Sequence, residues 1–206
     1  MAPAVIELPE DRIDEAVDCL VTAFVDDPVF DYFFPRDGAD RLGKLRALFE
    51  FGCRYRFVTG QPTLALDLEG QIVGVANVRT PGPVESSDEI DSLWDRASAV
   101  FGEEATRRFD DYVQLKEAIV PKTPHHYLVS LAIKPGHQGM GLGGTLLEAV
   151  CDLAEDDPGS EATILDTCTN INVKFYEKHG FEAIGEGDVG GVRMVYLKRP
   201  CESQPG

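Results

Sequence analysis

Residues 125–147 read HHYLVSLAIKPGHQGMGLGGTLL. The first nine residues are rich in β-formers, Lys134 and Pro135 interrupt them, and five glycines follow in the nine positions 136–144. Leu146, Leu147, Val150 and Leu153 then recur at helical spacing, so the spacing predicts a helix over 143–155. The order is strand, bare loop, helix. A helix N-terminus leaves N–H groups unpartnered and carries partial positive charge. Glycines let a ligand approach such groups without a Cβ between, which makes a site for an anion, usually phosphate. Glycines inside regular structure cost about 0.5–1 kcal/mol each, so five together point to a function.

Two phosphate readings compete. Gly139, Gly141 and Gly144 satisfy G-x-G-x-x-G, and Asp166 follows at the distance of a ribose-binding acid. In that fold the first glycine follows its strand tightly. Here residues 134–138 intervene, and too little chain remains to complete a doubly wound sheet. No Gly-Lys-Ser/Thr occurs, which excludes a P-loop. The other reading is Gln138-x-x-Gly141-x-Gly143 opening an amphipathic helix after a strand.

Outward from this segment, AVIEL (4–8) reads as a short strand and residues 10–24 as a helix with an apolar stripe. Asp27 and Pro28 suit the cap and first position of another helix, and a longer one runs from Asp40 to a stop at Gly60. PTLALDL and QIVGVANVRT form a hairpin about Glu69-Gly70. Two helices follow, one capped by Ser87 and stopped by Gly102, the other ending before VPKTP. Beyond the glycine segment come the strand EATILDT, a short helix NVKFYEKHG and a closing hairpin. The order predicts an α+β fold with a mixed sheet. We expect one domain over 1–200, with a helical insertion at 85–120 and a loose tail at 201–206.

The 206 residues include 36 Asp and Glu against 19 Lys and Arg, a formal charge of −17. Phosphate backbones need clustered Lys and Arg, so no nucleic-acid partner is expected. An acidic surface suits a cationic substrate, or serves only solubility or a salty cytoplasm. No apolar run is long enough for a membrane span and the start is not a secretion signal, so a cytoplasmic protein is expected. Cys19, Cys53, Cys151, Cys168 and Cys201 have neither metal nor redox spacing, and the four histidines give no zinc pattern, so no metal is expected.

The glycine segment, its preceding strand and LDTCTNINVKFYEKHGF together resemble the GNAT N-acetyltransferase family. TAFVDDPVFDYFFP, the RTPG loop and VPKTPHHYLVSLAIKPG are similar to the branch that includes puromycin N-acetyltransferase. The chain departs in its histidine pair, where an aromatic is common near His126, and in Gln138, where relatives often carry Arg.

The resemblance implies the family's fold, a mostly antiparallel sheet with a splayed central strand and helices on both faces, and acetyl-CoA as co-substrate. Leu131, Ala132 and Ile133 would hold the pantetheine arm through their backbone, and an N–H near Leu131 would polarise the thioester carbonyl. Gln138, Gly139, Met140, Gly141, Leu142, Gly143 and Gly144 would hold the pyrophosphate. Tyr176 would protonate the leaving thiolate. Asn172, one turn earlier, would bond the CoA arm or cap the helix start. His126 is the candidate base beside His125, Tyr32 and Glu117, with a water chain as the alternative. Strict alternation puts His126 and Ser130 on one face of the strand and Tyr127, Val129, Leu131 and Ile133 on the other. Tyr32 and Phe33, with Asp26 and Asp27, would line the acceptor pocket. The expected reaction is acetyl transfer to a primary amine, the partner a small-molecule amine and the protein a monomer or homodimer. Acetylation of protein N-termini or lysines, and a non-catalytic acyl-CoA sensor, are the alternatives.

Overall fold

The computed structural model describes residues 3–202. Seven strands form one sheet in the order β1-β2-β3-β4-β5-β7-β6. They are β1 (Ala4–Glu7), β2 (Thr63–Leu68), β3 (Gln71–Arg79), β4 (His126–Ile133), β5 (Ala162–Thr167), β6 (Glu182–Val189) and β7 (Val192–Pro200). Every neighbouring pair is antiparallel except β4 and β5. A parallel pair needs a crossover, and α6 (Leu142–Glu155) supplies it. The expected α+β class and mixed sheet are as observed. The turn between β2 and β3 places Glu69 at φ 55° and Gly70 at φ 83°, the left-handed pair that a two-residue hairpin requires.

α6 lies on one face of the sheet. Its Leu146, Leu147, Val150 and Cys151 are buried against Leu66, Ala76, Val78, Leu165 and Leu197. Each fully buried leucine contributes about 2 kcal/mol. α7 (Asn170–Lys178) adds Tyr176 to the same cluster. The opposite face carries α1 (Ile13–Phe24), α2 (Pro28–Phe33) and α3 (Arg41–Thr59), packed on Ala65, Ile72, Val75 and Ala132. α4 (Asp88–Phe101) and α5 (Glu103–Ile119) belong to this second layer. Phe101 of α4 joins Phe33, Phe34 and Phe109 in an aromatic cluster. Of the expected tail, residues 203–206 lie outside the described residues, while the Cys201 N–H bonds Glu161 O at 2.9 Å.

Two irregularities of β4 shape the centre of the molecule. Its pairing with β5 covers only His126 to Leu128 against Thr163 to Leu165. Beyond that, β4 stays with β3 as far as Ile133, and β5 stays with β7 as far as Thr167. The two strands therefore part, and the β5-facing edge of residues 129–133 carries no ladder. The second irregularity is a bulge: Val78 opposes Leu128, Asn77 opposes Ser130, and Val129 has no partner on β3. The extra residue reverses the alternation. Leu131 and Ile133 join Leu128 on the α6 face, whereas Ala132 and Tyr127 pack on the other side. The expected grouping of Tyr127 with Leu131 and Ile133 is corrected by this bulge.

Candidate active site

Where β4 and β5 part, a cavity of about 200 Å³ opens. Val129, Ser130 and Leu131 of β4 line it, with Asp166 and Thr167 of β5 and Asn172 and Tyr176 of α7. Aromatic rings from the other layer close it: Phe24, Phe30, Phe33, Phe49, Phe109 and Tyr112.

Tyr176 is 8% exposed, and its hydroxyl has no hydrogen-bond partner among the described residues. Burial pushes its phenol up, and the nearby carboxylates Asp166 and Asp27 add to that, so it stays protonated at any ordinary pH. Asn172 precedes it by one turn and lines the same cavity. It does not cap the helix: the Thr169 hydroxyl does so, accepting from the Asn172 N–H at 3.4 Å.

Two carboxylates share the cavity. Asp166 Oδ1 accepts from the Tyr112 hydroxyl at 2.8 Å and from the Tyr127 hydroxyl in a shorter contact. Its Oδ2 has no hydrogen bond among the described residues. Burial raises its carboxyl, against the two phenols and the Lys116 ammonium, which favour the charged form. Asp27 caps α2 by accepting from the Val29 N–H at 3.0 Å and also accepts from the Cys168 thiol at 3.3 Å. Burial raises Asp27 too, and it pushes the Cys168 thiol up to about 12, so that group is an inert hydrogen-bond donor.

The glycine loop lies at the end of β4 and leads into α6. Gly136, Gly139 and Gly141 have φ of 88°, 76° and 80°, and a Cβ on any of them would meet open space. The backbone N–H groups of residues 138–144 donate to no protein acceptor among the described residues; those of Leu142, Gly143 and Gly144 fall in the first turn of α6. The Gln138 side chain donates to Ile133 O at 3.1 Å, which ties the loop to the strand end. Gly144 has a packing reason of its own, since a Cβ there would stand 2.9 Å from His179 Cε1. Open, glycine-lined amides beside an unladdered strand edge fit an extended ligand that ends in phosphates.

The remaining expected residues are dispersed. Phe33 lines the cavity and stacks on Phe109 at 4.1 Å. Tyr32 does not line it; its hydroxyl donates to Asp111 at 3.1 Å. Asp26 pairs with Arg36 at 3.0 Å in solvent. His126 is buried at the start of β4, away from the cavity lining, with Nδ1 3.0 Å from Ser160 Oγ and Nε2 4.0 Å from Asp157. His125 and Glu117 line a separate, open cavity of about 750 Å³. Two charged residues of the cavity were not assigned to an acetyl-transfer site from the sequence, where Asp166 was weighed only as a ribose-binding acid. Asp166 was visible as a lone acid ending an apolar strand, and Arg56 as a lone cation on the stripe of Phe49 and Cys53.

Residues 27–181 match the acetyltransferase (GNAT) family. Among solved structures the chain is similar to a histone acetyltransferase HPA2 and related acetyltransferase from Corynebacterium glutamicum. That match has 27% identity and a TM-score of 0.76, and covers 100% of both chains. It also resembles the Salmonella typhimurium protein yncA, solved with its cofactor acetyl-CoA, at 15% identity and a TM-score of 0.58 over 100% of this chain and 98% of that one. A mosquito arylalkylamine N-acetyltransferase like 5b shares the fold at 14% identity and a TM-score of 0.62, covering 97% of this chain and 100% of that one.

Proposed function

The chain belongs to the acetyltransferase (GNAT) family, and on that premise we propose that it transfers acetyl from acetyl-CoA to a primary amine of a small molecule. The observation that carries this reading is one cavity holding both an unpartnered Tyr176 hydroxyl and the carboxylates of Asp27 and Asp166. When bound, acetyl-CoA supplies an activated acetyl group as a thioester. The backbone edge of Leu131, Ala132 and Ile133 holds the pantetheine arm, and the amides of residues 138–144 hold the diphosphate.

The carboxylates attract the ammonium form of the acceptor and orient it between aromatic walls. The amine must lose a proton to attack, and Asp166 Oδ2 accepts it. Its raised carboxyl suits this, because burial makes it a stronger base than a free carboxylate. Tyr176 then donates to the leaving sulfur. Burial makes the phenol a weaker acid, and it also raises the thiolate's proton affinity, so the two remain matched. His126, packed against Ser160, has no part in this scheme. A cavity of about 200 Å³ suits a small free amine, such as an aminonucleoside.

Thiol release from acetyl-CoA across an amine panel tests the reading. Small cationic amines are expected to raise release, and Tyr176→Phe to lower kcat about 10²-fold with little change in acetyl-CoA affinity. If no amine raises release while acetyl-CoA still raises the melting temperature, the protein is a binding module.

A further inference from the structure

Arg56 stands in the last turn of α3 and is 7% exposed. Its Nη1 donates to Gly52 O at 2.7 Å. Its Nε is buried without a hydrogen-bond partner, and Nη2 makes no hydrogen bond, among the described residues. No carboxylate pairs with it there either. Its charged form is disfavoured by burial and lowered to about 10, so it remains protonated at neutral pH. A buried charge without a partner is strongly destabilising, and its retention calls for a reason.

The geometry supplies one. Arg56 lines the same cavity as Tyr176 and Asp166, beside Asn77 and Ser130. Asn77 Nδ2 donates to Ser130 Oγ at 3.0 Å and Asn77 Oδ1 accepts from Thr63 at 2.9 Å, so these neighbours satisfy one another and offer Arg56 no anion. Nε is sealed from solvent and Nη1 is engaged, so Nη2 is the guanidinium nitrogen left to meet a carboxylate. Asp166 lies on β5 and Asn77 on β3, with β4 between them. Asp166 of β5 and Arg56 of α3 thus border one cavity with opposite charges.

We infer that the acceptor is an amine that also bears a carboxylate, seated against the Arg56 guanidinium at Nη2 while its nitrogen faces Asp166 and Tyr176. This rests on the amine-acetylation reading and narrows it. The cavity volume limits such a substrate to a compact molecule with its two charges set apart.

The test compares benzylamine with 4-(aminomethyl)benzoate, each with acetyl-CoA, in wild type, Arg56→Met and Arg56→Lys. A charged hydrogen bond is worth enough to give wild type about a tenfold kcat/KM preference for the carboxylate-bearing amine. Arg56→Met is expected to erase that ratio, and Arg56→Lys to retain part of it. If neither amine is acetylated, the acetylation reading fails for this class, and melting temperatures decide the Arg56 claim separately. A rise with 4-(aminomethyl)benzoate that benzylamine does not give, lost in Arg56→Met, supports the site. Should wild type show neither a rate preference nor a melting shift, the inference is overturned, and Arg56 serves only as a cation at the carbonyl end of α3. The wild-type measurements decide even if Arg56→Met does not fold.

Discussion

At the scale of single residues, Asp166 separates function from stability. Its folded-state carboxyl is raised above the unfolded value of about 3.9. Below the unfolded value both states hold the proton and the group is neutral in the balance. Above the folded value the native state carries a buried charge, so stability falls as the pH rises through that window. Asp166→Asn keeps an acceptor for the Tyr112 and Tyr127 hydroxyls and removes the charge. It is expected to melt no lower than wild type at pH 8 while losing about 10²-fold in kcat. Raising the pH should restore part of the variant's rate, because a free amine needs no base. A variant that melts well below wild type and is not rescued at high pH would assign Asp166 to structure alone.

At the scale of elements, the glycine loop and the start of α6 make separable predictions. Gly141 at φ 80° is strained by any side chain, although a Cβ there meets open space. Gly141→Ala is therefore expected to cost about 1 kcal/mol and to weaken acetyl-CoA binding, read by calorimetry. Gly144→Ala would instead press on His179, whose Nδ1 sits 2.9 Å from Glu148, and should lower the melting temperature through lost packing. Equal loss of cofactor affinity in both variants without loss of stability would contradict this division. The loop was legible in the sequence because its signals are local: a β-rich run, a Pro-Gly break, clustered glycines and a helical stripe. The caps at Asp27 and Ser87 were legible for the same reason. The faces of β4 were not, because the bulge at Val129 exists only relative to β3. Arg56 stayed hidden, and Asp166 was weighed only for a dinucleotide ribose, because an isolated charge in an apolar pattern means little until the cavity it borders is known.

At the scale of the whole molecule, the charge of −17 is the dominant feature. Most ion pairs are exposed, as with Arg36 and Asp26, and such pairs contribute about 0–1 kcal/mol each. Arg12 is better sheltered; it bridges Glu15 at 2.8 Å and Asp67 in close contact, and those carboxylates raise its basicity further. Self-repulsion among the excess carboxylates outweighs these pairs, so screening should stabilise the fold. The melting temperature is expected to rise between low salt and about 1 M NaCl, where the Debye length is about 3 Å. A fall would show that the pairs dominate.

Splayed strands, an open glycine loop and a cavity with a protonated tyrosine and two carboxylates are the features on which the proposed meeting of a thioester and an amine rests. A single incubation of the protein with acetyl-CoA, a mixture of small amines and a set of peptides, read by mass spectrometry, tests this most directly. The account predicts that one or more small amines gain a single acetyl group, dependent on both enzyme and acetyl-CoA. Acetyl groups on the peptides alone, or unconsumed acetyl-CoA with no product, would contradict it.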